Sequence, residues 1–250
     1  LPDIVELQDP LSGEGIGRNV QARGWLYKVE KYIINNANMT AYVTEAAADF
    51  AKKEFKSSNI FAVYPGSKDF GYSYSDDKHN GIKIVHLGSL YSTRNFDSMI
   101  SAIDTLISQG GISEKEIELI NLGHVSDEER KKLKNKSYVK ILQPIPRVKA
   151  LEFASKCDIS LLIQHSDDRS NVTIPYKTYD YLNLKNHTLA LLNSDELTKL
   201  IIHYGHTAIP LDDVSKISQY LLDIKSNKVK LGNANNIDYV TQANCLVDII

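Results

Sequence analysis

Ile82-Lys83-Ile84-Val85-His86-Leu87-Gly88 is a short, mostly apolar run that stops at a glycine. Phe96 to Gln109 follows, with apolar residues at Phe96, Met99, Ile100, Ile103, Leu106 and Ile107. The first segment reads as a strand, and the spacing of the second is that of a helix buried on one face. Gly110-Gly111 stops that helix.

The same alternation continues outward. Glu118 to Leu122 is a second strand ending at Gly123, and Ser126-Asp127-Glu128-Glu129 opens a charged helix with Ser126 and Glu129 arranged as a capping box. Val139 to Leu142 is a third strand, with a turn over Pro144 to Pro146 and a short helix from Arg147 to Lys156. Ile159 to Gln164 is a nearly all-apolar fourth strand. Pro175 to Leu184 follows as a helix with proline in its first turn, where the missing N–H matters least. His187 to Leu192, Glu196 to His203, Thr207 to Ile209 and Val214 to Ile224 complete the series as strand, helix, strand and helix. Apolar strands separated by single helices predict an α/β fold, a Rossmann-like doubly wound parallel sheet covered on both faces.

The first 65 residues hold strands at Ile4–Leu7, Met39–Val43 and Ile60–Val63, with helices at Val20–Ile34 and Glu45–Lys56. They are expected to be the end of a preceding α/β lobe, because the chain opens at Leu1-Pro2-Asp3-Ile4 in what reads as mid-strand. Gly66 to Gly81 is polar and reads as a linker. The expected division is 1–66 for the end of the first lobe, 67–81 for the linker, 82–234 for the main lobe and 235–250 for a closing helix.

Composition narrows the function. With 42% apolar and 24% charged residues among 250, the chain is ordinary globular protein. Its formal charge of -2 supplies no electrostatic case for nucleic acid. No apolar run reaches the roughly 18 residues of a membrane span. Cys157 and Cys245 are the only cysteines, and Cys157 sits at a buried strand entry, so a reduced, cytoplasmic setting is expected. The seven His residues are scattered without metal-ligand spacing, and no metal is assigned. No Walker loop, G-x-G-x-x-G or nucleophile elbow is present.

In such a sheet, ligands bind beyond the carboxyl ends of the strands. Gly88-Ser89-Leu90-Tyr91-Ser92-Thr93-Arg94-Asn95 is one candidate loop. Its glycine lets phosphate approach the backbone, and Arg94 offers a forked donor; an ordinary glycine turn with an exposed Arg94 is the plain alternative. The loop from Gln164 to Ile174 is another, with Asn171, Val172 and Thr173 placed to present backbone N–H groups at a helix start. Lys177 and Asp180 share one face of that helix. A carboxylate there suits ribose hydroxyls, and a surface Lys–Asp pair is the plain alternative.

Together these segments resemble the C-terminal lobe of GT-B glycosyltransferases of the family-4 (group 1) type. Ile174-Pro175-Tyr176-Lys177-Thr178-Tyr179-Asp180-Tyr181-Leu182 is similar to that family's Pro–Lys–Glu–Tyr–Leu helix, with Asp180 in the place of its Glu. Val85 to Asn95, Glu152 to Leu162, Ile60 to Gly66 and Tyr204 to Pro210 resemble the segments in the same order around it. The resemblance implies that Gly88, Ser89 and Arg94 lie by a donor diphosphate, that Asp180 binds the ribose, and that Asn171, Val172 and Thr173 cover the diphosphate and sugar. Gln143 to Ile145 would flank the base. Two departures stand out: Ser89 follows Gly88 where many members have Arg, and Val172 holds the place of the family's first Glu.

The resemblance therefore implies a retaining glycosyltransferase of cell-surface polysaccharide or glycoconjugate synthesis, with a UDP- or GDP-sugar as substrate rather than a bound cofactor. The acceptor would be a glycan or lipid-linked sugar, met at the inner membrane face through peripheral contact by the rest of the first lobe. Catalytic residues are not assignable from this chain. Val172 motivates the alternative of a non-catalytic, nucleotide-binding scaffold or subunit. A nucleotide-sugar epimerase of the same two-lobed fold lacks the acidic and His loop residues it would need.

Overall fold

The computed structural model describes residues 3–8, 10–12, 20–72, 81–167, 170, 173–184 and 186–228. The expected closing helix at 235–250 and the middle of the linker lie outside the described residues. Two parallel sheets are formed. In the first, β1 (Ile4–Leu7), β2 (Met39–Tyr42) and β3 (Ile60–Ala62) pair in chain order. The helices α1 (Val20–Asn36) and α2 (Glu45–Phe55) connect them. Thr44 starts α2 by accepting the Ala47 N–H at 3.1 Å, and Ala47, Ala48 and Ala51 make a small-residue face against Tyr42 and Ile60. Buried Glu30 of α1 accepts from the Tyr42 hydroxyl at 2.6 Å and from the N–H groups of Leu11 and Ser12 at 3.1 and 2.8 Å. A carboxylate with that many donors tolerates burial.

The second sheet contains β4 (Ile82–Leu87), β5 (Ile117–Leu122), β6 (Val139–Leu142), β7 (Ile159–Ile163), β8 (His187–Leu192) and β9 (Thr207–Pro210). All pairings are parallel, in the order β6-β5-β4-β7-β8-β9. The chain winds outward from β4 to β6, then returns beside β4 with β7 and winds the other way. The expected doubly wound sheet is what forms, and its switch point lies between β4 and β7.

Alternate residues of each strand feed opposite cores, as a two-sided sheet requires. Ile84, Leu119, Leu161 and Leu189 face α3 (Asp97–Ser108) and α8 (Val214–Lys225) through Met99, Ile103, Leu106, Ile217 and Leu221. Their neighbours Val85, Ile120, Leu162 and Ala190 face α5 (Arg147–Ser155), α6 (Lys177–Leu182) and α7 (Asp195–His203). The charged helix α4 (Asp127–Leu133) leads into β6 at the sheet edge.

Two local expectations are corrected. The helix expected from Pro175 begins only at Lys177, and 173–175 belong to no helix or strand. A residue before proline is disfavoured in helical geometry, which keeps Ile174 outside the helix, and the Pro175 carbonyl accepts the Thr178 N–H at 2.8 Å. The capping box at α4 is half made: Ser126 accepts the Glu129 N–H at 3.3 Å, but its own N–H goes to the Leu90 carbonyl at 3.0 Å. Glu129 turns to Lys132 instead, at 2.9 Å.

The sheets are joined by more than the chain. Tyr64, Phe70 and Tyr72 of the connecting segment pack on the α5–α6–α7 core. Ser67 is buried there, its carbonyl accepting from Asn183 Nδ2 at 2.8 Å. Glu196 of α7 accepts the first N–H groups of α2, from Glu45 at 2.7 Å and Ala46 at 3.0 Å, and the Tyr64 hydroxyl at 2.8 Å.

Candidate functional site

The carboxyl end of β4 is shaped by two glycines. Gly88 (φ 128°) and Gly123 (φ 151°) occupy a region that side chains disfavour, and a Cβ at position 123 would collide with the Gly88 carbonyl. This close approach extends the β4–β5 pairing past the strand ends: Gly88 N–H donates to Leu122 O and Leu90 N–H to His124 O, each at 2.9 Å. The loop then folds into a tight turn in which Tyr91 and Arg94 exchange backbone hydrogen bonds of 2.9 and 2.7 Å. The Thr93 carbonyl accepts the Ser166 N–H at 2.9 Å, which ties this loop to the one after β7. His165 lies between, 3.1 Å from the Thr93 hydroxyl and 3.3 Å from that of Tyr91.

Beneath Gly88 runs a polar chain of the buried His86 and Asn121 and the half-buried Lys177. Lys177 Nζ lies 2.6 Å from His86 Nε2 and donates to the Leu87 carbonyl at 3.0 Å. His86 Nδ1 lies 2.7 Å from Asn121 Oδ1, and Asn121 Nδ2 donates to the Gly123 carbonyl at 3.2 Å. Burial, followed by the positive Lys177, holds the His86 imidazolium well below its ordinary value. Burial, followed by Arg94, does the same to the Lys177 ammonium. The Tyr181 hydroxyl accepts the Leu87 N–H at 2.7 Å, fixing α6 against the strand end.

Asp180 is buried one turn along α6. Its carboxylate accepts from the Ser67 hydroxyl at 2.6 Å and from Arg147 Nε at 3.0 Å, with Arg147 Nη2 closing a forked pair. The Arg147 guanidinium lies over the rings of Tyr176 and Phe70, at 5.2 and 5.7 Å.

The sequence candidates fall into two adjoining cavities. Gly88, Ser89, Lys177 and Asp180 line one of 350 Å³, walled by Pro144, Ile145 and Arg147. That is within the size of small-molecule sites, about 300–1,000 Å³. Arg94 and Thr173 line a second, of 310 Å³, together with His165, Tyr179, and Gln8 and Val43 just past β1 and β2. The buried Tyr179 hydroxyl has no hydrogen-bond partner among the described residues. Thr173 belongs to the irregular 173–175 stretch and does not stand on a helix start. Asn171 and Val172 lie outside the described residues.

The sequence reading did not find Arg147, Ser67 or His86 as site residues. Arg147 directly follows the Pro144–Pro146 turn, and His86 is the one imidazole inside the run of β4; both were visible signals. Cys157 is buried, and burial pushes its thiol up to about 12, so it is no nucleophile. Among the described residues no group of His, Cys, Asp and Glu is arranged to hold a metal ion, and no helix is long and apolar enough to cross a membrane.

A parallel sheet in this strand order, packed beside a second parallel sheet across a cleft, is the GT-B architecture, and solved structures of GT-B glycosyltransferases align with it. One is Anabaena HepE in complex with UDP-glucose: TM-score 0.71, 13% identity, covering 99% of this chain and 71% of that one. TarM aligns with TM-score 0.65 and 13% identity over 90% of this chain and 43% of its own. The UDP-forming α,α-trehalose-phosphate synthase from Burkholderia vietnamiensis aligns with TM-score 0.62 and 8% identity over 89% and 60%. The chain thus spans less than half of TarM. No family model and no curated protein matches the sequence. At these identities the likeness establishes the fold.

Proposed function

We propose that this chain is the donor-binding part of a glycosyltransferase that moves a sugar from a nucleoside diphosphate to a glycan or glycoconjugate. The observation that carries this reading is the cavity at the switch point, where Gly88, Ser89, Lys177 and Asp180 converge. Its parts suit the parts of such a donor. Pro144 and Ile145 offer an apolar wall for the base, and Asp180 an acceptor for ribose hydroxyls. The glycine-bounded turn and Lys177 suit the diphosphate. The sugar would extend into the second cavity, toward Arg94, His165 and Thr173.

Catalysis in this arrangement is positioning together with charge neutralisation on the departing diphosphate by Lys177 and Arg94. HepE, of the same fold, was crystallised with UDP-glucose, which favours a uridine nucleotide over a guanosine one. Retention at the anomeric carbon is part of the proposal and is read from the NMR of the first product formed.

The test is calorimetric titration of this chain with UDP, GDP, ADP and CMP, repeated on Arg94→Ala and Asp180→Ala. One nucleotide should bind, and each substitution should weaken it about tenfold or more. Binding of none overturns the reading. A second reading, a nucleotide-binding scaffold without transfer, rests on Val172 standing where the similar family has its first Glu. Nucleotide binding with no sugar transfer by the full-length protein would select it.

A further inference from the structure

His86 is fully buried in the sheet's central strand, where an imidazole is tolerated only if its nitrogens are bonded. Asn121 Nδ2 donates to the Gly123 carbonyl, which leaves Asn121 Oδ1 as the acceptor facing His86 Nδ1. This network assigns the ring hydrogen to Nδ1, and Nε2 offers its lone pair to Lys177. The second acceptor for Lys177 is the Leu87 carbonyl. A Cβ at Gly88 would lie 3.5 Å from Nζ, so the Lys177 nitrogen sits directly under the turn.

Neither of these acceptors carries charge. The charged group that acts on Lys177 is Arg94, of like sign. Asp180 of the same helix is paired with Arg147, and Tyr181 presents a hydroxyl to the Leu87 N–H. Among the described residues no carboxylate pairs with Lys177. An amine in contact only with neutral acceptors, and near Arg94, gives up its proton readily, and an arriving anion restores the charged form.

Resting on the donor-site reading above, we propose that His86 is the positioning residue for Lys177, and that the Lys177–His86 pair takes up one proton from solvent when a nucleoside diphosphate binds. The proton comes from water or buffer and resides on Nζ, which becomes an ammonium donating to the diphosphate while His86 Nε2 and the Leu87 carbonyl hold its other hydrogens. The lowered basicity of both groups agrees with this direction. Because binding gains a proton, affinity falls as pH rises, by at most about tenfold per pH unit for one proton.

The experiment is calorimetry with UDP, and GDP in parallel, at pH 8. There the terminal phosphate, with a second pKa of about 6, is already ionised. Titrations in phosphate and in Tris should give different enthalpies, and the slope against buffer ionisation enthalpy should report uptake approaching one proton. Lys177→Met should abolish the slope. His86→Phe should lose it and weaken binding about tenfold, while His86→Gln, which restores an acceptor for Nζ, should recover most of the affinity. Equal enthalpies in the two buffers overturn the proton uptake, and wild-type affinity in a folded His86→Phe overturns the positioning role. Failure of wild-type protein to bind any nucleotide sinks the donor-site reading instead.

Discussion

Gly123 leaves no space for a side chain: its φ of 151° is unfavourable for any other residue, and an added Cβ would meet the Gly88 carbonyl. Gly123→Ala should cost about 2 kcal/mol in stability, a drop of several degrees in Tm for a chain of this size. It should also weaken nucleotide binding, because the strain falls on the turn that bounds the cavity; unchanged Tm and affinity would refute this. Arg147 makes a different claim. Half of its side chain is exposed (48%), yet it neutralises a carboxylate whose side chain is 6% exposed. Arg147→Ala should cost about 1–2 kcal/mol, kept low by solvent around the guanidinium, and should weaken UDP binding by freeing Asp180 to rotate. Arg147→Lys should not restore affinity, because an ammonium supplies neither the fork nor the planar face over Tyr176 and Phe70. Recovery of wild-type affinity by lysine would show that charge alone matters.

Elements were more legible than the contacts between them. The strands of the second sheet and its apolar helices follow from apolar runs and helical spacing, because burial on two faces writes itself directly into local sequence. Charged α4 was legible only from its N-terminal Ser126–Glu129 pattern. Strand order does not: β4 pairs with β5 and β7, and only the fold shows which loops share the switch point. The connecting segment read as a plain linker from its polar residues, although Ser67 lies buried against Asp180. Partners 113 residues apart leave no local trace. The start of β8 and β9 holds another such pair. His187 and His206 pack with ring centroids 5.4 Å apart, His187 Nε2 lying 2.9 Å from the Thr207 hydroxyl. Burial lowers His187 from 6.5 to about 4, and burial, then His187, lowers His206 to about 4. Both rings are therefore neutral when folded and protonate more readily when unfolded. The stability tied to them is complete above pH 6.5 and is lost as pH falls from 6.5 toward 4, by up to about 3 kcal/mol for one ring. Urea midpoints should drop between pH 7.5 and pH 5, and less steeply in His206→Phe. A pH-independent midpoint over that interval would contradict the neutral-pair assignment.

At the scale of the whole molecule, the two sheets meet across the second cavity, so whatever holds them together sets the geometry of any ligand that touches both. Glu196 is one such holder. It belongs to α7 of the second sheet, but its carboxylate caps α2 of the first and takes the Tyr64 hydroxyl from the segment between them. Negative charge at a helix N-terminus is favourable by about 0.3–1 kcal/mol, and hydrogen bonds to a charged acceptor add to it. Burial, followed by Glu196, raises the Tyr64 hydroxyl far above its ordinary value, so it stays a donor throughout the working pH range. Glu196→Ala removes the acceptor from three donors at once and should cost about 1–2 kcal/mol, discounted for the partial exposure of the site. Glu196→Gln should be intermediate, because its amide nitrogen cannot accept the Ala46 N–H. The loss should fall on the contact between the sheets rather than on either core, since Leu197 and Ile201 keep α7 seated in its own core. Calorimetric unfolding should therefore broaden or split in Glu196→Ala, with the transition of the smaller first sheet moving down and that of the second unchanged. A single transition at the wild-type temperature would mean that the two cores are held together by packing alone, and that Glu196 merely caps a helix.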